Sequence, residues 1–200
     1  GDRNKIALPE SQIKYLKSLR KSAGNKPIIL VIKSGSAIDL SEIYGYVDAI
    51  IYAWYLGEQG GNAIADVIFG DVNPSGKLPI TIPKSISHLP HYEDYSMNNR
   101  TYRFTRYDPM FPFGFGLSYS NFIYSNLSIN KHKIKSGDSI ELNFEIHNDS
   151  KFLGEEVIQL YIKDMESSFR TPNSSLKFFK RIKLKPGEKR SVNVSVNKEM

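Results

Sequence analysis

FPFGFGLSYSNF, residues 111–122, divides this chain into two kinds of sequence. Before it, apolar residues come in short continuous runs or at helical spacing. After it, they alternate with polar ones. The stretch interleaves Phe111, Phe113 and Phe115 with Pro112, Gly114 and Gly116, and closes on Phe122. Its G-x-G invites comparison with a dinucleotide loop, which needs G-x-G-x-x-G between a strand and a helix. Here Tyr119 stands at the third glycine position and the element that follows reads as a strand, so the phosphate-cradle reading fails. The rings are expected to form a joint instead. Burying a phenylalanine is worth ~1.5–3 kcal/mol, and the glycines let the backbone turn and approach closely. On this reading Phe113 and Phe115 anchor the preceding layer, and at least one of them is almost fully buried.

Upstream, Pro9 to Arg20 reads as a helix, with Ile13, Leu16 and Leu19 on one face and Pro9 suited to a first turn. PIILVIK (27–33) and DAIIYAW (48–54) are short apolar runs bounded by turn residues, the pattern of strands buried on both faces. Between them IDLSEIYGY predicts a short helix or turn. The glycines of YLGEQGG form a loop, and a helix runs from Gly61 or Asn62 to Gly70. Strand, helix, strand, glycine loop and helix make an α/β layer with a parallel sheet. GDVNPSGKLPITIP (70–83) looks like a phosphate-binding loop but departs from it twice. Five residues separate Gly70 from Gly76 where four are needed, and Leu78 follows Lys77 where Ser or Thr is needed. It reads as a turn-rich connection. Residues 84–110 lack periodicity, and a loop of that length in a compact protein is functional or packed on a neighbour. His88 and His91 stand three apart with only Glu93 or Asp94 near, too few ligand types for a metal centre, so surface histidines and no metal are expected.

Downstream, Ile140, Leu142, Phe144 and Ile146 alternate with Glu141, Asn143, Glu145 and His147, and Val192, Val194 and Val196 alternate with Ser and Asn. VIQLYI (157–162) and LKFFKRIKL (176–184) are further strands, with turns at SGD, NDS and KPGE. Period two with regular turns predicts an antiparallel β-sandwich. Two domains are therefore expected, 1–122 and 123–200.

The 200 residues contain no cysteine, which excludes disulfides and Cys-ligated metals and suits the cytosol and the periplasm alike. No apolar run approaches the ~20 residues of a membrane helix, so no membrane partner is expected. Net charge is +6, with +2 on residues 1–122 and +4 on 123–200. The densest basic run is KFFKRIKLKPGEKR (177–190). Such a run can bind nucleic acid, but cations on the solvated side of a strand also guard an exposed edge, and that reading is preferred. The chain opens on GDRNKIALPE with no initiator Met, as expected of a piece cut from a longer protein.

Seven segments carry a family resemblance: GDRNKIALPESQ (1–12), SGSAIDL (34–40), AWYLGEQGGNAIADVIFGDVNPSGKLPITIP (53–83), NNRTYRF (98–104), FPFGFGLSYSNFIYSNL (111–127), GEEVIQLYI (154–162) and LKPGEKRSV (184–192). In this order they resemble glycoside hydrolase family 3, over its C-terminal α/β domain and the fibronectin type III-like domain that follows. The resemblance implies a retaining, exo-acting β-glycosidase of β-glucosidase or β-xylosidase type, acting on an oligosaccharide or aryl glycoside with no cofactor. Such chemistry uses two carboxylates about 5–5.5 Å apart. The family's nucleophile is an Asp of an N-terminal barrel, which is not expected in these residues. Its acid/base Glu usually precedes the segment that Gly1, Asp2 and Arg3 resemble. No residue is therefore carried over as catalytic, and the sandwich is expected to continue past Met200.

Arg3, Glu58, Arg100, Tyr102 and Arg103 are the candidates for the rim of a sugar site. Glu58 sits between a strand and a helix, where α/β folds bind ligands. Arg and Tyr bond hydroxyls, and Tyr stacks on a pyranose face. Each also suits an ordinary contact at a domain interface. NNRTYRF resembles the GRTYRY-like segment of the β-xylosidase branch, with Asn99 in place of Gly, which favours pentosides. The reading from another class is a non-catalytic carbohydrate-binding or spacer module.

Overall fold

The computed structural model of the chain describes residues 5–135 and 137–197. They fall into two compact units. One takes the residues up to Ala65, Leu78–Phe115 and Glu166–Asn173. The other takes Asp66–Lys77, Gly116–Met165 and the residues from Ser174 on.

In the first unit, helix α1 spans Glu10–Ala23. The Pro9 carbonyl accepts the Gln12 and Ile13 amides at 2.9 and 3.1 Å, and the helix stops at Gly24, whose φ of 56° suits a residue without Cβ. Strands β1 (Ile29–Ile32) and β2 (Ala49–Tyr52) pair in parallel, with Leu30 opposite Ile50 and Ile32 opposite Tyr52. Those four residues face Ile13 and Leu16 of α1, together with the buried Leu40 and Ile43. Alternation sends Ile29, Val31, Ala49 and Ile51 to the other face, where Ile29 is 42% exposed and no residue of the strand pair is buried. The expectation of two fully buried strands is thus corrected. The sequence is apolar on both faces, while the described residues cover only the α1 face.

Arg20 closes this layer. Its guanidinium donates to the carbonyls of Tyr46 (3.0 Å), Lys26 (3.0 Å) and Gly24 (3.2 Å) and pairs with Asp48. Asp48 also accepts the Ile28 amide at 2.7 Å. The Ile28 bond, then the bond from Arg20, hold the Asp48 carboxyl below the usual aspartate range. A carboxyl lowered by folding stabilises above its unfolded value, and that contribution is lost as pH falls through the folded value. Asp48→Asn should therefore flatten the acid limb of the stability profile below about pH 4, read by denaturant titration between pH 2 and 7. An unchanged limb counts against the lock.

Helix α2 covers Gly60–Phe69 and the short α3 covers Thr101–Phe104. In the second unit, β3 (Phe122–Ile129), β4 (Ile140–Asn148) and β7 (Lys189–Val196) form one antiparallel sheet in the order β3-β4-β7. Strands β5 (Gly154–Ile162) and β6 (Ser175–Leu184) form the other. Ile146, Ile158, Ile182, Leu184, Val192 and Val194 meet between the sheets. The fold is thus an α/β layer followed by an antiparallel β-sandwich. Strand β6 pairs only with β5 among the described residues and carries Lys177, Lys180 and Lys183. Lys180 stands opposite the buried Ile158 yet is exposed, a charge on the core-facing parity that guards the open edge more strongly than one on the wet face.

The loop 70–77 belongs to the sandwich unit. The Asn73 amide donates to Ser120 Oγ (2.8 Å) and the Leu153 carbonyl (3.0 Å), and its oxygen accepts Ser118 Oγ and the Tyr119 amide, both at 2.8 Å. Lys77 Nζ bonds the Gly116 carbonyl at 2.8 Å and pairs with Glu156 at 3.3 Å. The loop also follows α2 rather than a strand. Its lysine is engaged in holding the fold.

Candidate functional site

The aromatic stretch runs alongside 78–82. Leu78 N–H donates to the Phe115 carbonyl (2.8 Å), Gly114 N–H to that of Leu78 (2.8 Å) and Ile82 N–H to that of Phe111 (2.9 Å). Gly114 takes a φ of 79°. A Cβ on Gly116 would lie 2.0 Å from the Gly76 carbonyl oxygen, so only glycine fits there. The expected deep burial of Phe113 or Phe115 is corrected: Phe113 is half-buried and Phe115 is 36% exposed. The rings stack rather than plunge. Phe111 lies 5.4 Å from Phe115, and Phe113 lies 4.3 Å from Tyr102 with planes 14° apart. The fully buried side chain of this strip is Ile82.

Two loops follow the carboxyl ends of β1 and β2, the end at which α/β sheets bind ligands. The Tyr52 hydroxyl donates to the Ser36 carbonyl, and Tyr52 packs 4.7 Å from Trp54. Burial raises the Tyr52 phenol above its ordinary value, so it remains a neutral donor at physiological pH. Tyr55 lies over Gly35, where a Cβ would meet its ring at 2.4 Å. Trp54 adopts a φ of 54°, strained for a bulky residue. Glu58 rides on this second loop, exposed and without a hydrogen bond or ion pair among the described residues. A groove of about 950 Å³ runs past Leu30–Ser34, Gln12, Tyr15 and Tyr55. Glu58, Arg100, Tyr102 and Arg103 are not among its lining residues.

Arg100, Tyr102 and Arg103 share the loop 91–106. The Arg100 guanidinium donates to the Asp94 carbonyl (2.8 and 3.1 Å) and that of His91 (3.2 Å), so it braces the loop from inside. Bonds from the Ser96 hydroxyl and then the Ser96 amide hold Asp94 below the usual carboxylate range. Tyr102 is committed to Phe113, and Arg103 is exposed. Three candidates are thus brought together, Glu58 stands on a separate loop, and Arg3 lies outside the described residues. His88 departs from a surface histidine. It is half-buried, stacks 4.5 Å from Tyr107, and keeps a buried Nδ1 with no partner among the described residues. No cluster of three metal-ligating side chains occurs among the described residues.

This loop also holds what sequence reasoning missed. Met97, Asn99 and Thr101 all have positive φ, at 63°, 53° and 56°. Asparagine tolerates this region, but β-branched Thr101 does not. Each such residue costs on the order of 1–3 kcal/mol and persists only where its surroundings hold it. The surroundings come from residues 166–173, far along the chain. Arg170 Nη1 donates to the Ser96 carbonyl (3.0 Å), and its guanidinium lies 4.9 Å from the Phe104 ring centre. Asn173 donates its side-chain amide to the Thr105 carbonyl (2.6 Å) and its backbone amide to that of Arg103 (2.5 Å). The NN pair at 98–99 was the one legible hint of the strained turn.

The comparisons with known proteins agree with this architecture. Residues 1–119 match the glycosyl hydrolase family 3 C-terminal domain, and residues 156–200 match the fibronectin type III-like domain. The xylan 1,4-beta-xylosidase of Xylanibacter ruminicola is 42% identical over 202 residues, covering 100% of this chain and 22% of that protein. The periplasmic beta-glucosidase of Salmonella typhimurium is 37% identical, covering 100% of this chain and 27% of that protein. Beta-glucosidase 3B of Thermotoga neapolitana, solved in complex with glucose, superposes with a TM-score of 0.87 at 28% identity, over 98% of this chain and 29% of that one. The chain spans about a quarter of the length of these relatives. With an α/β layer and a β-sandwich in the expected order and a family match over most of its length, the chain belongs to glycosyl hydrolase family 3.

Proposed function

We propose that this chain is the C-terminal portion of a retaining, exo-acting β-glycosidase that hydrolyses O-glycosyl bonds, with an α/β domain over 1–122 and a fibronectin type III-like domain over 123–200. The observation that carries the reading is similarity along the whole chain to a xylan 1,4-beta-xylosidase at 42% identity. The half-open face of β1 and β2 supports it. Parallel strands this apolar are normally covered on both sides, and here the Ile29, Val31 and Ile51 face awaits cover that the described residues do not supply.

In this proposal the partner is an N-terminal barrel of the same protein, which carries the nucleophile, and the substrate is an oligosaccharide or aryl glycoside. Arg3, Glu58, Arg103 and the loop braced by Arg100 and Tyr102 form the rim contributed by this part. The NNRTYRF segment and the xylosidase relative favour a β-xyloside over a β-glucoside. The full reading frame around this segment, expressed and assayed on aryl β-xyloside and aryl β-glucoside, should cleave the xyloside with the higher kcat/KM. A higher kcat/KM on the glucoside overturns the sugar assignment, and no turnover of either overturns the enzymatic reading.

A further inference from the structure

Residues 91–106 carry three left-handed non-glycine residues. Within the loop, Arg100 holds the carbonyls of His91 and Asp94, Asn98 donates to Ser96 Oγ at 2.8 Å, and Asn99 Oδ1 accepts the Arg106 amide at 3.2 Å. From outside the loop, residues 96–105 are also held by the connection between β5 and β6. Arg170 takes the Ser96 carbonyl and the Phe104 ring, and Asn173 takes the carbonyls of Arg103 and Thr105. Four attachments thus bracket the strained turn from Ser96 to Thr105. The loop they hold presents the exposed Arg103, and the residues just ahead of Ser96 include Tyr92 and Tyr95, 85% and 83% exposed. Strain that is maintained by attachments from elsewhere is the mark of a loop whose shape matters.

We propose that Arg170 and Asn173 are positioning residues. They lock residues 96–105 in the strained course that presents Arg103, Tyr92 and Tyr95 to the sugar chain outside the reacting bond. The substrate half of this inference rests on the glycosidase reading, and the mechanical half does not. The function of the β5–β6 connection is then to set substrate affinity through the loop it shapes, although Arg170 lies 66 to 74 residues along the chain from the groups it holds.

The mechanical half is tested on this chain by hydrogen exchange. Arg170→Ala and Asn173→Asp, separately and together, should speed exchange across 96–105 while leaving the amides of β3, β4 and β7 as protected as in the parent. Asn173→Asp keeps size and the backbone bond but removes the amide donor, so it remains informative if the alanine variant folds poorly. The substrate half is tested in the full-length protein. The double variant should raise KM for an aryl β-xylobioside roughly tenfold with kcat changed less than about twofold, as loss of uniform binding does. Arg170→Lys should recover part of the loss, because it restores a donor to Ser96 without the planar stack on Phe104. Unchanged exchange in 96–105 overturns the clamp. Faster exchange with an unaltered KM overturns the positioning role and leaves the glycosidase reading intact. A full-length protein that cleaves no aryl glycoside overturns that reading together with the substrate half, and the exchange result still decides the clamp.

Discussion

The 200-residue chain alone should release no aglycone from aryl β-xyloside or aryl β-glucoside, at any pH between 4 and 8. Retaining hydrolysis needs a nucleophilic carboxylate to form the glycosyl-enzyme and a second carboxyl to protonate the leaving oxygen, about 5–5.5 Å away. On the reading proposed above, neither carboxylate is assigned to a residue of this chain. Acid–base help alone is worth roughly 10²–10⁴ in rate, and without a nucleophile the covalent route disappears altogether. Glu58 is the carboxylate best placed to challenge this. It stands at the carboxyl end of the parallel strands, but it is exposed and no hydrogen bond among the described residues aims it. The measurement is aglycone release at high enzyme concentration, with Glu58→Gln beside it. Turnover that the variant abolishes would overthrow the expectation and make Glu58 catalytic.

Ile146→Ala should cost the sandwich about 2–5 kcal/mol, a large share of the ~5–15 kcal/mol that holds a domain together. Ile146 is 0% exposed and lies on the central strand of its sheet, with Tyr124 of β3 on one side and Arg190 of β7 on the other. It packs with Ile158, Ile182 and Leu184 from the opposite sheet. Removing three carbons leaves a cavity that four neighbouring strands cannot close. Phe179→Ala is the matched control. That ring is larger but 69% exposed, and a surface change of this kind stays within about 0.5 kcal/mol. Urea titration of both variants decides the point. Equal midpoints for the two would mean that the core lies elsewhere.

The elements whose residues interact locally were legible in the sequence. Helix α1 was readable from Ile13, Leu16 and Pro9 because a 3.6-residue period and a terminal proline describe one helix without reference to anything else. The β4 and β7 alternation was readable for the same reason, since one dry face and one wet face impose period two. The departure of 70–83 from the phosphate-loop pattern was readable because that pattern is a count of residues along the chain. The family's ordered motifs added the family and its architecture. Of the candidate rim, the sequence marked the loop that holds Arg100, Tyr102 and Arg103, because NNRTYRF is contiguous.

Burial and long-range attachment were decided only by the tertiary structure. Phe113 and Phe115 looked like deep anchors because hydrophobicity predicts that a ring leaves water, not where it goes. In the structure they stack on Tyr102 and Phe111 along an extended strip. Arg100 read as a rim arginine, and its Nε and Nη2 donate to two carbonyls of its own loop, a contact that depends on how the loop folds back. Arg170 and Asn173 carried no signal, since their partners lie 66 to 74 residues away and a hydrogen bond to a backbone carbonyl leaves no trace in the partner's side chain. The sequence by itself determined the longer helices and strands but not the one-turn α3, because period and turn chemistry act within a few residues. The tertiary structure alone decided which side chains are free to meet a ligand, because that depends on contacts between segments that no local pattern encodes.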